Sequence, residues 1–459
     1  MRRGAPRPGW VLGLVFGVTL SSHADDLNDL YALALINDPT YQSAIFSLQT
    51  ARQLKPEAFA ALLPSLIATG SGGRTRGQTT YTGTPLVNRS FDSDQWTLQL
   101  TQPILRTDSI LAYDEAKSTV EQAINQFTAA EQDLLLRLTR AYFDEVVAER
   151  HVITARAQVA ALEEQLHAAS RSYESGVASI TDVDDTRSRA ALAEAQETAA
   201  LNDVESTRAA LEAIIGSDPP ALNSLRADAS LPKPAAEVGS WITRANTDNP
   251  AVKAARAGVA VAEADFDRSQ LQRVPTVDLV ANYGGNYSSG NITEPDNFGT
   301  NVKDRQVSLQ VSVPLFSGGA IRARIAEARA KKSKAQADLT AAERQAALSA
   351  RQSYAAVVSG VSQVHALESA VVAGRSAVKG NKVGYGAGVR INSDVLNAEQ
   401  QLYSTMQDLE KARYDTLYAG LQLKAAAGDL SRDDLRAINS LLAPPVGGPA
   451  DGMSSSRSP

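Results

Sequence analysis

Cysteine is absent from the 459 residues, aromatic side chains make up 5% of them, and methionine and tryptophan occur three times each. Without cysteine there is no disulfide, no thiolate nucleophile and no sulfur-ligated metal. An N-terminal lipid anchor, which needs a cysteine at the processing site, is excluded as well. Stability has to come from packing and assembly. Long apolar runs are also missing: after residue 24, none approaches the roughly 18 residues that a membrane-spanning helix needs. Past that point histidine is limited to His151, His167 and His365, with no His-x-x-x-His pair to bind a metal. Gly384-Tyr-Gly-Ala-Gly388 mimics part of a phosphate loop but lacks the preceding strand and the spacing to a third glycine. No nucleophile-elbow serine motif occurs, so neither an enzyme nor a resident cofactor is indicated. Asn88-Arg-Ser, Asn286-Tyr-Ser and Asn291-Ile-Thr match glycosylation acceptors, a pattern too short to weigh.

The first residues are organised as a leader. Arg2, Arg3 and Arg7 precede an apolar stretch from Trp10 to Leu20, and Ser22-His23-Ala24 supplies small residues before Asp25. That is the layout of a secretory signal peptide over residues 1–24. Arg2-Arg3 as a twin-arginine signal finds no support in Gly4-Ala5-Pro6. Without the three arginines of this segment, 42 basic side chains face 51 acidic ones, a net charge of -9. That balance points away from a nucleic-acid partner. A secreted protein, a periplasmic one and an outer-membrane β-barrel all remain possible.

Compared with itself, the chain shows two halves. Asn37-Asp38-Pro39 matches Asp248-Asn249-Pro250, and Leu63-Pro64 matches Val274-Pro275, at an offset of 211. Gln95 through Pro103 matches Gln306 through Pro314 at the same offset, and Tyr173 through Val183 matches Tyr385 through Val395 at 212. Each half reads as helix, strand, strand, long helix, tight turn, helix. The first repeat spans 25–216, with a helix over 27–62, strands 65–72 and 93–102, a long helix 109–171 and a helix 179–215. A loop rich in Gly, Thr and Arg is expected up to Asp92. A linker, 217–240, leads to the second repeat, 241–428, with strands 276–287 and 304–313, a long helix 319–383 and a helix 392–427. Residues 429–443 follow. The tail 444–459, rich in Gly, Pro and Ser, reads as disordered.

In the strands, Trp96, Leu98 and Leu100 alternate with Gln95, Thr97, Gln99 and Thr101; Val307, Leu309, Val311 and Val313 alternate with Gln306, Ser308, Gln310 and Ser312. One apolar and one polar face suits a barrel strand between lipid and water, and equally a strand pair over a soluble core. In the first long helix Phe127, Leu134, Leu138, Ala141, Ala148, Val152, Ala155, Val159, Leu162 and Leu166 fill a seam stepping by four and three, broken by Glu131 and Glu145. That is a coiled-coil period, along a helix on the order of 95 Å. Four strands cannot close a membrane barrel, since the smallest have about eight, so spanning strands must find partners in other copies.

Leu62-Leu63-Pro64, Gln102-Pro103-Ile104-Leu105, Val313 through Gly319 and Tyr385 through Leu396, set in this duplicated frame, resemble the TolC family of outer-membrane factors. The resemblance implies a mainly α protein with a small β-barrel. In that family three copies pool four strands each into one twelve-stranded barrel in outer-membrane lipid, continued through the periplasm by a long α-helical barrel. Residues 216–250 and those after 428 would form a belt around its middle. It also implies a periplasmic adaptor and an inner-membrane ABC transporter or drug pump as partners, and a polypeptide or small molecules as cargo.

By the same resemblance the turns near 173–179 and 385–391, with Tyr173, Gly176 and Gly388, form the periplasmic tip. Tyr385 and Arg390 would link the inner hairpin to Thr181 and Asp182, within or between chains. Asp394 would add one carboxylate per subunit to a pore ring. One turn on, where the family's best-known member has a second acid, this chain has Asn397. Local readings compete: Ser179 with Asp182 fits a helix capping box, Asp184 and Asp185 a solvated helix start, Asp394 a first-turn acid, and Tyr385 simple packing. The expected function is the exit duct of a type I secretion system in a Gram-negative cell. The alternatives are the outer-membrane part of a drug-efflux pump and a periplasmic coiled-coil protein without a pore.

Overall fold

The computed structural model describes residues 27–443 except 227, 232, 233, 235, 294 and 295. The expected leader 1–24 and tail 444–459 lie outside the described residues. The chain begins with α1 (Leu27–Asn37) and α2 (Pro39–Ala60), then β1 (Ser65–Thr79), β2 (Val87–Leu105), α3 (Thr107–Glu174) and α4 (Ile180–Ile215). A short β3 (Ser224–Leu225) precedes the second half: α5 (Val238–Asp248), α6 (Pro250–Leu271), β4 (Thr276–Ser288), β5 (Thr300–Ser312), α7 (Ala320–Gly386) and α8 (Asn392–Ala426). It closes with α9 (Arg432–Asn439) and β6 (Leu442–Ala443).

The helix expected over 27–62 is two helices, broken at Asp38. Proline disfavours helical backbone in the residue before it, and Asp38 is extended (φ -68, ψ 116). Its carboxylate caps α2 by accepting from Tyr41 N at 2.6 Å and takes a bidentate pair from Arg137, at 2.9 and 3.1 Å. Asn249 does the same before Pro250, accepting from Ala251 N at 2.9 Å. The motif that marks the repeat is therefore a helix break.

The strands form one antiparallel sheet in the order β1-β2-β4-β5. Much of the loop expected between residues 73 and 92 is strand. The β1–β2 register runs unbroken from Ser65–Thr101 to Thr79–Val87, and an Arg74–Asp92 pair at 2.9 Å bridges the two strands. Glycine- and threonine-rich segments carry little strand signal alone, but antiparallel pairing satisfies their backbone. At the other end, Arg106 grips Asp278 through two hydrogen bonds of 3.0 and 2.9 Å, tying the entry of α3 to β4.

Below the sheet, α3 extends on the order of 100 Å. The main core lies where α1, α3, α4 and α8 meet the segments around β3, α9 and β6. Leu27, Leu138, Tyr142, Phe143, Leu211, Ile215 and Leu435 are fully buried there. Tyr142 Oη donates to Asn223 O at 2.8 Å, and Tyr414 Oη accepts from Leu225 N at 2.7 Å. The seam-breaking Glu145 is also buried (1% exposed), and among the described residues neither of its carboxylate oxygens has a hydrogen-bond partner.

The sequence holds no continuous apolar run of spanning length after residue 24, but α7 contains a stretch that is apolar on average. One 18-residue stretch has a mean hydropathy of 1.3, sufficient by length and composition, and only 17% of it is buried within the chain. Its apolar residues are small and interspersed with serine and glutamine, so no continuous run shows in the sequence.

Candidate functional site at the hairpin tips

Both long helices end in the same turn. Ser172 O accepts from Val177 N at 2.9 Å and Tyr173 O from Gly176 N at 2.9 Å; Gly384 O accepts from Val389 N at 2.9 Å and Tyr385 O from Gly388 N at 3.0 Å. This is the Schellman pattern, repeated at the 212-residue offset. It needs a left-handed residue, and Gly176 (φ 76) and Gly388 (φ 72) supply it.

The helices that leave the turns start differently. In α4, Ser179 Oγ accepts from Thr181 N at 3.2 Å, while the Asp182 carboxylate accepts from Ser179 N at 3.3 Å, forming a capping box. Thr181 is exposed, and its hydroxyl lies 2.6 Å from Ser179 Oγ. In α8 the cap position is Ile391, which makes no side-chain cap. The next residue, Asn392, turns away from its own helix and is 1% exposed. Its Nδ2 donates to Thr186 Oγ1 at 2.8 Å and to Asp182 O at 3.3 Å, and its Oδ1 accepts from Gln165 Nε2 at 2.8 Å. One side chain thus ties the second hairpin to both helices of the first.

Tyr385 is half-buried. Burial raises its phenol pKa above the usual value, and the negative charge of Asp182 adds to this. Those two predicted residues are therefore within electrostatic reach. Arg390 is exposed and pairs inside its own hairpin, Nη1 lying 3.5 Å from Asp394 Oδ2, rather than reaching Thr181 within the chain. Its aliphatic stem rests on Gly384, where an added Cβ would fall 2.8 Å from Arg390 Cγ. Asn397 is exposed one turn beyond Asp394, and Tyr173 is exposed at the end of α3.

Two contacts near the tip carry no motif. Lys382 Nζ lies 2.6 Å from Glu399 Oε1, and the glutamate is almost wholly buried (3% exposed). Burial pulls the Lys382 ammonium down, but the hydrogen bond and charge of Glu399 outweigh it and hold the pKa above the ordinary lysine value. Tyr403 Oη donates to Ala157 O at 3.2 Å, a further link between the hairpins. Asn392 was legible only as a departure from the repeat, because the first half has Ile180 at the equivalent position. Among the described residues, no group of three or more His, Asp or Glu side chains is arranged to hold a metal.

The model of the outer membrane efflux protein family matches twice, at residues 30–217 and 241–429. The chain belongs to that family. Members are outer-membrane channel proteins that reach into the periplasm, and this chain shares their location and fold. It is similar to "Alkaline protease secretion protein AprF" of Pseudomonas aeruginosa, 32% identical over 90% of this chain and 86% of that protein. "Proteases secretion protein PrtF" of Dickeya chrysanthemi is 29% identical over 95% of this chain and 94% of that protein. Among solved structures, the CmeC outer membrane channel of Campylobacter jejuni superposes with a TM-score of 0.76 at 16% identity, covering 96% of this chain and 97% of that one.

Proposed function

We propose that this outer membrane efflux family protein is the exit duct of a type I secretion system, assembled as a homotrimer. The observation that carries the reading is the near full-length similarity to two proteins named for protease secretion. In this reading residues 1–24 direct export, the sheet enters outer-membrane lipid, and the helices form the periplasmic conduit. A polypeptide arrives from an inner-membrane ABC transporter through a periplasmic adaptor. Assembly is supported by the two open edges of a four-stranded sheet and by the exposed apolar surface of α7, where Val372 and Val383 are 67% and 68% exposed.

Closure is placed at the hairpin tips. Asp182, Tyr385 and Asn392 hold the second hairpin against the first, and Arg390 with Asp394 faces the pore or the neighbouring copy. Asp394 adds one carboxylate per subunit around the axis, a device for selecting cations, and Asn397 leaves the next turn uncharged. Deleting the gene and comparing secreted proteins with antibiotic sensitivity tests the cargo. Loss of a secreted protein with unchanged sensitivity is expected. Drug sensitivity with normal secretion would transfer the duct to an efflux pump.

A further inference from the structure

The 211-residue offset holds in the strand registers. The β1–β2 pairs from Ser65–Thr101 to Gly77–Arg89, moved by 211, are the β4–β5 pairs: Ser65–Thr101 becomes Thr276–Ser312, and Leu66–Leu100 becomes Val277–Val311. The junction between the halves is the β2–β4 seam, where the second strand of one repeat meets the first strand of the other. Its missing counterpart is β5 against a β1 that this chain cannot provide, because its own β1 lies at the far edge of the sheet. Strand directions alternate across the sheet, so a β1 from another copy would again be antiparallel to β5.

We propose that β5 of one copy pairs with β1 of the next in the β2–β4 register moved by 211 residues, with Leu309 opposite Gly72 and Val311 opposite Gly70. The inference rests on the assembly reading above and adds the identity of the facing residues. Trp96–Gly285, Leu98–Tyr283 and Leu100–Ala281 inside the chain translate to Val307–Arg74, Leu309–Gly72 and Val311–Gly70 between copies. Parity supports the match. Val307, Leu309 and Val311 lie on the apolar face of β5, and Leu66, Ala68 and Gly70 lie on the face of β1 that pairs with Leu100, Leu98 and Trp96. A slip of one residue would turn one strand's apolar face into the lumen. At the helix end, Leu105 near Val277 translates to Phe316 near Leu66, giving a neighbour to side chains that are 89% and 68% exposed in the single chain. The least favourable meeting is Arg305 with Arg76. Arg305 is drawn aside over the Tyr283 ring, its guanidinium 5.2 Å from the centroid.

The absence of cysteine makes the register directly measurable. The double variant Gly70→Cys, Val311→Cys, oxidised in outer-membrane fractions, is expected to run as covalent dimers and trimers on non-reducing gels. Gly70→Cys with Leu309→Cys, or with Val313→Cys, is expected to stay monomeric, because diagonal positions are roughly 7–8 Å apart. Leu100→Cys with Ala281→Cys, the equivalent pair inside one chain, shows that the sheet forms and that oxidation works, by closing without a change of mass. Crosslinking of a diagonal pair in place of the direct one overturns the register and leaves the assembly standing. No crosslink at any β1–β5 pair, with the internal control closed, overturns the seam and with it the assembly reading.

Discussion

Asn392 donates a 2.8 Å hydrogen bond to Thr186 Oγ1 across the gap between the two hairpins, and both residues are buried. The same amide accepts from Gln165 and donates to Asp182 O, so its polar atoms are spent on the opposing hairpin and not on capping α8. An isosteric apolar replacement removes the acceptor of Gln165 Nε2 and the donor to Thr186 Oγ1, which keeps only its bond to Asp182 O at 2.7 Å. Leaving a buried polar group unpaired costs about 1–3 kcal/mol, comparable to what holds a closed conformation against an open one. Asn392→Leu is therefore expected to raise single-channel conductance in planar bilayers severalfold while the helical circular dichroism stays unchanged. Wild-type conductance in a well-folded variant would remove Asn392 from the gate.

Arg390 sits differently. Its pair with Asp394 is long and largely solvent-exposed, and such pairs contribute about 0–1 kcal/mol to folding. Arg390→Ser should leave thermal stability unaltered within that margin. Its effect is expected in the pore: a larger conductance if the guanidinium latches the tip, and a stronger preference for cations once Asp394 loses its internal counter-charge. Unchanged conductance and selectivity together would show that neither residue faces the ion path.

At the base of the sheet, the bidentate Arg106–Asp278 pair is a charged clasp between the first repeat and the second, and Asp278 is mostly buried. At the seam between copies the equivalent positions are Ser317 and Ile67, so the clasp has no counterpart there. Asp278→Asn removes the charge and keeps the shape. The expected loss is about 1–3 kcal/mol, read as a lower melting temperature of the detergent-solubilised assembly, with the oligomer still formed.

The sequence carried much of this fold in its periodicities. The duplication placed both hairpin turns, because a Schellman turn needs glycine at one position and Gly176 and Gly388 stand at equivalent sites. The alternation in 93–102 and 304–313 marked the sheet, yet the far half of β1 went unseen, since Gly72, Gly73 and Gly77 have no side chains to alternate. Asp38-Pro39 was noticed as a landmark of the repeat without its consequence, a helix break. At the tip, the charge of Asp182 adds to the rise of the Tyr385 phenol pKa. Asn392, Lys382 and Glu399 escaped because a buried polar contact depends on the crossing of two hairpins, which no local spacing encodes.

Glu145 was visible as a charge interrupting an apolar seam, and its surroundings make stability depend on pH. Burial pushes its carboxyl up to about 7; the neighbouring Glu149 adds to the rise, Arg208 from α4 opposes it, and Asp218 beyond α4 adds a little more. Arg208 is itself engaged, Nε donating to Asp218 Oδ1 at 2.8 Å and Nη2 to Pro219 O at 2.9 Å, so it does not neutralise Glu145. The folded protein holds this proton more tightly than the unfolded chain does. Stability from this group is therefore fully present below the ordinary glutamate pKa and is lost as pH rises through about 7. The loss is of the order of 1–3 kcal/mol. Glu145→Gln, which mimics the protonated form, is expected to melt at the same temperature as the wild type in acid and several degrees above it at pH 8. Parallel melting curves for the two proteins across that range would mean that Glu145 finds a counter-charge in the assembled duct.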